Sequence, residues 1–432
     1  MLTFRTLTLT LVSCLLIPSA TSAEESDDFG GFDTEMEFEV PTESDTDERS
    51  SRFRFTASSN NSYLPEQSSD NSGFRTDVRM QWERLFTDKR YVVIDVKHLQ
   101  RYPISEDDSE IRVRELFLQT GEESYSIRAG YQVVVWGEMD MLSSTDVMTP
   151  WDYSEFAFTA PEDARRGQPI ISMEFYDCKG TCNIIFNLQP ETNRYPGGGA
   201  STLLDMVLET ETFTLDDQEP ELFGGEYETG FRWSRKGDNG DISVMVASLL
   251  ADEPLFELVN AEPQLEFNAT YPRYEMIALT ANHPTDGYLW KIETAYKRGL
   301  KFYENGLVER DSVDLTLGVD MIKGGIYNIG FEAHRQQLIN GSGELTLIKP
   351  ERTEAAIRLS RTFWNETLSA VYFISYAIEE ESMVQSASLN YSVSDNASIE
   401  LNGTIFSVGD ENSPNAFIDQ YDILSLRANY HF

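Results

Sequence analysis

The chain has 432 residues, and its 73 acidic against 34 basic residues give a formal net charge of −39 at pH 7. This excess of negative charge disfavours nucleic acid as a partner and makes attraction to anionic surfaces implausible. After the N-terminal region, no stretch approaches the roughly 18 to 20 consecutive apolar residues that a membrane helix needs. The chain is therefore either soluble outside the cytoplasm or crosses a membrane as β-strands.

Residues 1–23 have the pattern of a secretory signal peptide. Arg5 supplies the positive charge, an apolar run reaches Ile17, and a small-residue cleavage site ends at Ala23. The pattern predicts export through the inner membrane, with cleavage before Glu24. Acylation of Cys14 as a lipoprotein is the alternative, disfavoured because three apolar residues would directly follow the lipid.

Residues 24–51 form a strongly acidic segment. Twelve Asp or Glu residues stand there against a single basic residue, Arg49, with few apolar residues to bury. Such a composition predicts a disordered periplasmic tail. Because Phe29, Phe32 and Phe38 interleave with the acids, docking of this tail to a periplasmic partner is the alternative.

From residue 52 onward, apolar and polar side chains alternate with a period of two, which is typical of β-strands. The clearest alternation runs over residues 74–82, 125–135, 288–296 and 313–321, and further strands cover about 326–336, 354–364, 368–378, 384–393 and 397–407. Amphipathic strands of roughly ten residues, separated by turn residues, are typical of membrane barrels. We predict an all-β fold, a transmembrane antiparallel β-barrel of about 16–18 strands over residues 52–432, which encloses a lumen.

The last segment indicates an outer-membrane location. Leu424, Leu426, Ala428, Tyr430 and Phe432 share one face of a strand that ends with the chain. A terminal strand ending on an aromatic residue resembles the assembly signal of outer-membrane barrels, here Tyr430 and Phe432. The resemblance implies two partners, the lipid of the outer membrane and the barrel assembly machinery. A soluble β-sandwich would also alternate, but its strands have no reason to place aromatic rings near their ends.

Three longer stretches, 137–169, 189–222 and 250–263, interrupt the alternation. In a barrel, such irregular backbone cannot face lipid, so we expect these stretches to form extracellular loops or to fold inward and narrow the pore.

Only Cys178 and Cys182 remain once the signal peptide is removed. Their spacing predicts a small-loop disulfide, formed in an oxidising periplasm. A metal site is the alternative, disfavoured because no histidine or second cysteine pair lies nearby. We therefore predict no metal and no cofactor.

The segment from Ile127 to Glu138 reads IRAGYQVVVWGE and continues to Asp146, Pro150 and Asp152. It resembles a family of large Gram-negative outer-membrane proteins known only as a domain of unknown function. Their pattern is a strand with Gly and Gln running into Trp-Gly-Glu, then an Asp, then Asn-Pro-x-Asp. Here Thr149 stands where Asn is usual.

The resemblance extends over most of residues 70–432, with specific motifs only from about 110 to 170. It implies a porin-like barrel that moves hydrophobic or polymeric compounds across the outer membrane. A weaker likeness runs to alginate-export barrels, although no polymer-specific motif is present.

The polar faces of the strands predict the pore lining, because inward side chains set selectivity in a barrel. The candidates are Arg75, Asp77, Arg79, Arg112, Arg114, Arg128, Gln132, Lys291, Glu293, Lys297 and Arg427. One hypothesis is that Arg112, Arg114 and Arg128 form a basic ladder that attracts an anionic solute. The alternative is that they pair with Asp77, Glu115 and Glu138 and merely neutralise the lumen.

The segment after the Trp-Gly-Glu motif predicts an inward loop that constricts the pore. Its candidates are Trp136, Gly137, Glu138, Asp140, Asp146, Pro150 and Asp152. Glycine lets the chain leave a strand abruptly, and the acids can pair with arginines of the wall. The alternative is a simple cap on a strand end.

These features predict an outer-membrane channel for small, hydrophobic or anionic compounds. The second class of function is a structural or adhesive barrel without conductance. An enzyme is disfavoured, because the four histidines have no convincing nucleophile nearby for an outer-membrane hydrolase and no nucleotide fingerprint is present. The sequence leaves the solute and the oligomeric state open.

Overall fold

The computed structural model describes residues 51–65, 72–87, 89–102, 109–154, 164–176, 178–195, 199–208, 212–222, 224–261, 264–303, 306–323, 327–340, 349–409 and 416–432. The predicted signal peptide, the tail up to residue 50 and Cys14 lie outside this part of the chain.

Eighteen strands form one closed antiparallel sheet. They are β1 Ser51–Tyr63, β2 Ser72–Thr87, β3 Arg90–Tyr102, β4 Ser109–Glu122, β5 Tyr125–Gln132, β6 Gln168–Phe175, β7 Thr181–Asn187, β9 Glu228–Arg235, β10 Ile242–Leu250, β13 Arg273–Thr285, β14 Tyr288–Tyr303, β15 Leu307–Lys323, β16 Tyr327–Ile339, β17 Glu351–Phe363, β18 Leu368–Ala377, β19 Ser382–Ser394, β20 Ala397–Val408 and β21 Ile423–His431.

Each of these strands pairs with the next one, and the last strand pairs with the first. Ala57 of β1 lies opposite Tyr430 of β21, and the N–H of Phe432 donates to the carbonyl oxygen of Phe55 at 2.9 Å. The sheet therefore has no free edge, which is the condition for strands to cross lipid. The predicted transmembrane barrel of 16–18 strands is confirmed, with 18.

The alternation in the sequence separates the two faces of the sheet. Leu315 and Leu317 are 40% and 49% exposed on the outside, whereas Asp314 and Thr316, which alternate with them along the strand, are fully buried. Successive side chains of a strand point to opposite faces, so one strand presents apolar groups to lipid and polar groups to the lumen. At the closing strand, Tyr430 and Phe432 lie outside, with ring centroids 4.7 Å apart.

The two ends of the barrel differ. The end that holds the start of β1 and the end of β21, which we call the turn rim, has connections of two to six residues. The opposite end, which we call the loop rim, has the long connections 133–167, 188–227 and 251–272. No helix in the described part of the chain is long and apolar enough to cross a membrane.

A small subdomain stands at the loop rim. It contains helix α1 Ala200–Leu208 and a three-stranded sheet of β8 Phe213–Asp217, β11 Leu255–Asn260 and β12 Leu265–Thr270. Leu203 and Leu204 of the helix pack with Phe256 and Phe267 of the sheet in one buried cluster.

This subdomain corrects the expectation that 189–222 and 250–263 are irregular. β12 pairs antiparallel with β11 but parallel with β8, which comes from a different connection. Strands of five or six residues are too short to give a clear period in the sequence, and their partners are distant along the chain. The remaining stretch, 137–169, has no long helix or strand in its described part before β6 begins.

The turn between β6 and β7 carries the two cysteines. The structure joins Cys178 and Cys182 in a disulfide with their Cα atoms 6.3 Å apart. The indole N–H of Trp233 on β9 donates to the carbonyl oxygen of Cys178 at 3.3 Å. The bridged turn is thus tied to a neighbouring strand at the turn rim.

Candidate pore and constriction loop

Residues 133–153 leave β5 and cross the lumen, and we call this segment the inward loop. Met141 and Leu142 pack in one buried cluster with Ala356 of β17 and Phe373 of β18. In the ring of 18 strands, β17 is the ninth from β5. The loop therefore reaches the opposite wall, as expected for a constriction and not for a strand cap.

Glu293 of β14 holds the first part of the inward loop. Its side chain is fully buried and points into the lumen. Its Oε1 accepts the backbone N–H groups of Glu138 at 2.5 Å and Met139 at 2.9 Å, and its Oε2 accepts that of Ser144 at 2.7 Å and the hydroxyl of Ser143 at 2.9 Å. The carboxylate is thus enclosed by donors, which offsets the cost of burying its charge.

Glu332 of β16 holds the next turn in the same way. Its oxygens accept the backbone N–H groups of Asp140 at 2.8 Å, Met141 at 3.0 Å and Leu142 at 2.6 Å. Hydrogen bonds to a charged group contribute about 1.5–3 kcal/mol each. Two wall carboxylates therefore fix the backbone of the loop from residue 138 to residue 144.

An ion pair adds a third attachment. The Lys291 Nζ lies 2.8 Å from the carboxylate of Asp140 on the loop and 2.7 Å from that of Asp320 on β15. Lys291 was predicted to line the pore and Asp140 to belong to the constriction, and the structure brings the two together.

Glycines on the wall make room for the large side chains of the loop. A Cβ on Gly230 of β9 would lie 2.5 Å from the indole of Trp136, and one on Gly318 of β15 would lie 2.7 Å from the Met139 sulfur. Trp136 is only 2% exposed, in a cluster with Met148, Ile170 and Met245. A glycine inside a strand often marks such a close approach.

Filling the space at Gly230 tests this seat for Trp136. Gly230→Ala is expected to displace the rigid indole and to lower the free energy of unfolding by about 1–3 kcal/mol. The measurement is denaturant unfolding in detergent, followed by tryptophan fluorescence. Gly403→Ala on β20 is the matched control, because its new Cβ would meet its nearest neighbour at an ordinary 3.6 Å. Equal stability of the two variants would contradict the seat.

The two ends of the inward loop are tied together by Thr149. Its hydroxyl donates to the carbonyl oxygen of Val134 at 2.7 Å and accepts the N–H of the same residue at 2.9 Å. An asparagine side chain also has one donor and one acceptor, so threonine keeps the function of the residue usual in the resembled motif. Gly137 is needed nearby, because a Cβ there would collide with Ser143.

The returning part of the loop is held by arginines. Asp146 pairs with Arg165, whose guanidinium lies 4.4 Å from the ring centroid of Trp151, and Pro150 accepts the N–H of Arg166. Asp152 lies 2.6 Å from Arg112. Burial alone would raise the pKa of the Asp152 carboxyl, but Arg112, the hydrogen bonds with Ser154 and Arg194 together hold that pKa below its usual range.

The wall of β2, β3, β4 and β21 carries an excess of basic side chains, and we call it the basic wall. Its eight cations are Arg75, Arg79, Lys97, Arg101, Arg112, Arg114, Arg427 and, from the connection after β7, Arg194; its six carboxylates are Asp77, Glu83, Asp95, Glu110, Glu115 and, from the inward loop, Asp152. β3 is the ninth strand from β15 around the ring. The basic wall therefore faces the strands that hold the inward loop.

Carboxylates on this wall are shared between cations. The N···O distances are 3.2 Å from Asp77 to Arg427, 3.7 Å to Lys97 and 3.5 Å to Arg75, and 2.6 Å from Asp95 to Arg79 and 3.6 Å to Arg114. Each shared carboxylate fixes the positions of two or three cations. The cations still outnumber the carboxylates on this wall.

The predicted ladder is only partly brought together. Arg112 and Arg114 lie on the basic wall, but Arg128 lies opposite Gln119, five positions along β4 from Arg114, and donates to the Gln119 side chain at 2.9 Å. A register shift between β3 and β4 at Asp95 also displaces the neighbouring side chains. Spacing along the strands therefore separates Arg128 from the other two arginines.

The alternative partners differ as well. Asp77 pairs with Arg427 and its neighbours, while Glu138 accepts from Asn282 of β13 at 3.0 Å. Glu115 does interact electrostatically with Arg114 and Arg128, as the alternative expects. The other candidates on the inner face are Gln132, which donates to the carbonyl oxygen of Ile170 at 2.7 Å, and Lys297, which lies 2.8 Å from Asp314.

Sequence reasoning missed Glu332 and the wall glycines. Glu332 stands on the polar face of a predicted strand, but nothing local distinguishes it from other charged lumen residues. Glycine at inward positions of strands was the available signal for Gly230 and Gly318. Within the described residues, no group of three or more His, Cys, Asp or Glu side chains could hold a metal ion.

A closed barrel with an apolar outside, a charged lumen and a loop folded across it defines a porin-like channel of the outer membrane. The chain belongs to the family described as a protein of unknown function (DUF1302), whose model matches residues 43–313. The predicted resemblance to a barrel family of unknown function is thereby confirmed.

Solved structures of porins share this fold. OccK2 (OpdF) of Pseudomonas aeruginosa has a TM-score of 0.56 at 8% identity, covering 88% of this chain and 97% of that chain. A BenF-like porin from Pseudomonas fluorescens has a TM-score of 0.56 at 8% identity, covering 88% and 98%. OpdK of Pseudomonas aeruginosa, crystallised with vanillate, has a TM-score of 0.54 at 7% identity, covering 88% and 98%. No curated protein matches the sequence significantly.

Proposed function

We propose that this porin-like barrel is a diffusion channel for small organic anions, which pass between the inward loop and the basic wall. The observation that carries the proposal is the majority of cations on that wall, eight against six carboxylates, in a chain with a net charge of −39. Inward charges set the selectivity of a barrel, so a positive wall beside the passage favours anions.

The position of the loop supports this route. Its attachments at Glu293, Glu332 and Lys291 lie on β14 and β16, and its far contacts lie on β17 and β18. Residues 138–144 of the inward loop therefore lie on the far side of the lumen from β2 to β4. The passage we propose runs beside β2 to β4. Vanillate, with which OpdK was crystallised, is a carboxylate of the proposed chemical class. The proposed activity is diffusion without catalysis.

Single-channel conductance in a planar bilayer, with the reversal potential measured under a salt gradient, tests the proposal. We expect stable conductance steps and a reversal potential of the sign that indicates chloride over potassium. Cation preference would contradict the anionic substrate class. A folded barrel that never conducts would instead favour a structural or adhesive role.

A further inference from the structure

A cavity of about 260 Å³ lies between the inward loop and strands β14 to β17, on the side of the loop rim. Tyr153, Tyr274, Leu255 and Phe302 supply apolar surface to it. The basic wall contributes no residue to its lining. The cavity is therefore distinct from the proposed anion passage.

Two neighbouring carboxyl groups, Asp252 and Glu253, line this cavity. No described cation lies within ion-pair distance of either one, and the Oε2 of Glu253 is buried without a hydrogen-bond partner. The lining holds six carboxyl groups, Asp140, Asp146, Asp252, Glu253, Asp314 and Glu354, against the three cations Arg165, Lys297 and Lys301. Lys297 pairs with Asp314 and Arg165 with Asp146.

We propose that this cavity binds an organic ammonium ion whose apolar body is about the size of one aromatic ring. The two carboxyl groups supply the missing counter-charge, and the aromatic rings offer the faces that attract a cation. The volume exceeds that of an engineered core cavity known to admit benzene, about 150 Å³. The site does not depend on the proposed anion channel, since its lining and its ligand charge are different.

Proton release should accompany binding. Burial raises the pKa of Glu253 to about 8, and burial also raises the pKa of Asp252 well above its usual value. The charged and titratable groups that face this pair are Arg352, Tyr195, Glu228, Asp146 and Arg166. In the empty cavity at neutral pH the Glu253 carboxyl is therefore mainly protonated. A bound cation favours the carboxylate form, so affinity should rise with pH until the groups have ionised.

Isothermal titration of the purified full chain in detergent with benzyltrimethylammonium tests the site. This probe carries a permanent charge, so its own protonation does not change with pH. We expect binding at pH 8.5 that weakens at lower pH by up to about tenfold per pH unit for each proton released. Any binding of benzoate, an anion with a similar ring, belongs to the basic wall and should therefore be unchanged in Glu253→Gln.

Carboxyl variants locate the site. Glu253→Gln and Asp252→Asn should each weaken binding about tenfold, the effect of losing roughly 1.4 kcal/mol. Glu257→Gln, an exposed residue of β11 outside the cavity, is the matched control and should bind as the parent does. Circular dichroism verifies that each variant folds. Should a variant fail to fold, the pH dependence of benzyltrimethylammonium binding to the parent protein still tests the inference.

Two results would overturn the inference: affinity for benzyltrimethylammonium independent of pH, or unchanged affinity in Glu253→Gln. None of these measurements depends on conductance, so the outcome is independent of the channel proposal.

Discussion

Replacing Glu293 and Glu332 together with glutamine is expected to release the inward loop and at least to double the single-channel conductance. Glutamine keeps the size of the side chain but removes its charge, and its amide N–H₂ then faces backbone N–H donors. Each lost charge-assisted hydrogen bond weakens the attachment by about 1.5–3 kcal/mol. The loss of several such bonds together should therefore detach the loop from the wall. The barrel should still fold, since its strand pairing does not involve these side chains.

The matched control is Glu275→Gln with Glu309→Gln, two exposed residues of β13 and β15. It removes the same number of charges from the outer face and should leave conductance unchanged. If the Glu293 and Glu332 variant also conducts as the parent does, the carboxylates do not hold a constriction.

Reversing the charge of Lys97, Arg101 and Arg114 should abolish or invert the preference for anions. The substitutions to glutamate turn a wall of eight cations and six carboxylates into one of five cations and nine carboxylates. Since counter-ions accumulate beside fixed charge, the local excess of anions should become an excess of cations. The reversal potential under a salt gradient measures the change, which should diminish at high ionic strength.

Arg298, Arg335 and Arg361 provide the control for this experiment. They stand at outward positions of β14, β16 and β17, and their replacement by glutamate alters the net charge of the protein equally. Selectivity that shifts as much in this control would trace the effect to overall charge and not to the basic wall.

The barrel could be predicted because its signal is local. Alternation of Asp314, Leu315, Thr316 and Leu317 alone determines which side chain faces lipid, whatever strand lies beside them. The terminal strand ending at Phe432 could be predicted for the same reason, since its alternating residues all lie within one short segment.

The attachments of the loop could not be predicted because they join distant parts of the chain. Glu138 and Glu293 are 155 residues apart, and Asp140 and Glu332 are 192 apart. No periodicity fixes which inward carboxylate meets which backbone N–H. The pairing of β8 with β12 could not be predicted either, because the two strands are distant along the chain. Arg128 was grouped with Arg112 by residue type, and only the strand register separates them.

The long separation between the loop and its clamps determines when the passage can form. Glu293 and Glu332 belong to strands that follow the loop in the chain. The barrel is closed by the pairing of β1 with β21, the first and last strands of the chain. Contacts of such high sequence separation form slowly, because loop closure costs entropy before pairing compensates for it. The donors of the loop therefore stay without their final acceptors until the second half of the barrel has been built around them, and the passage acquires its width only at the end of folding.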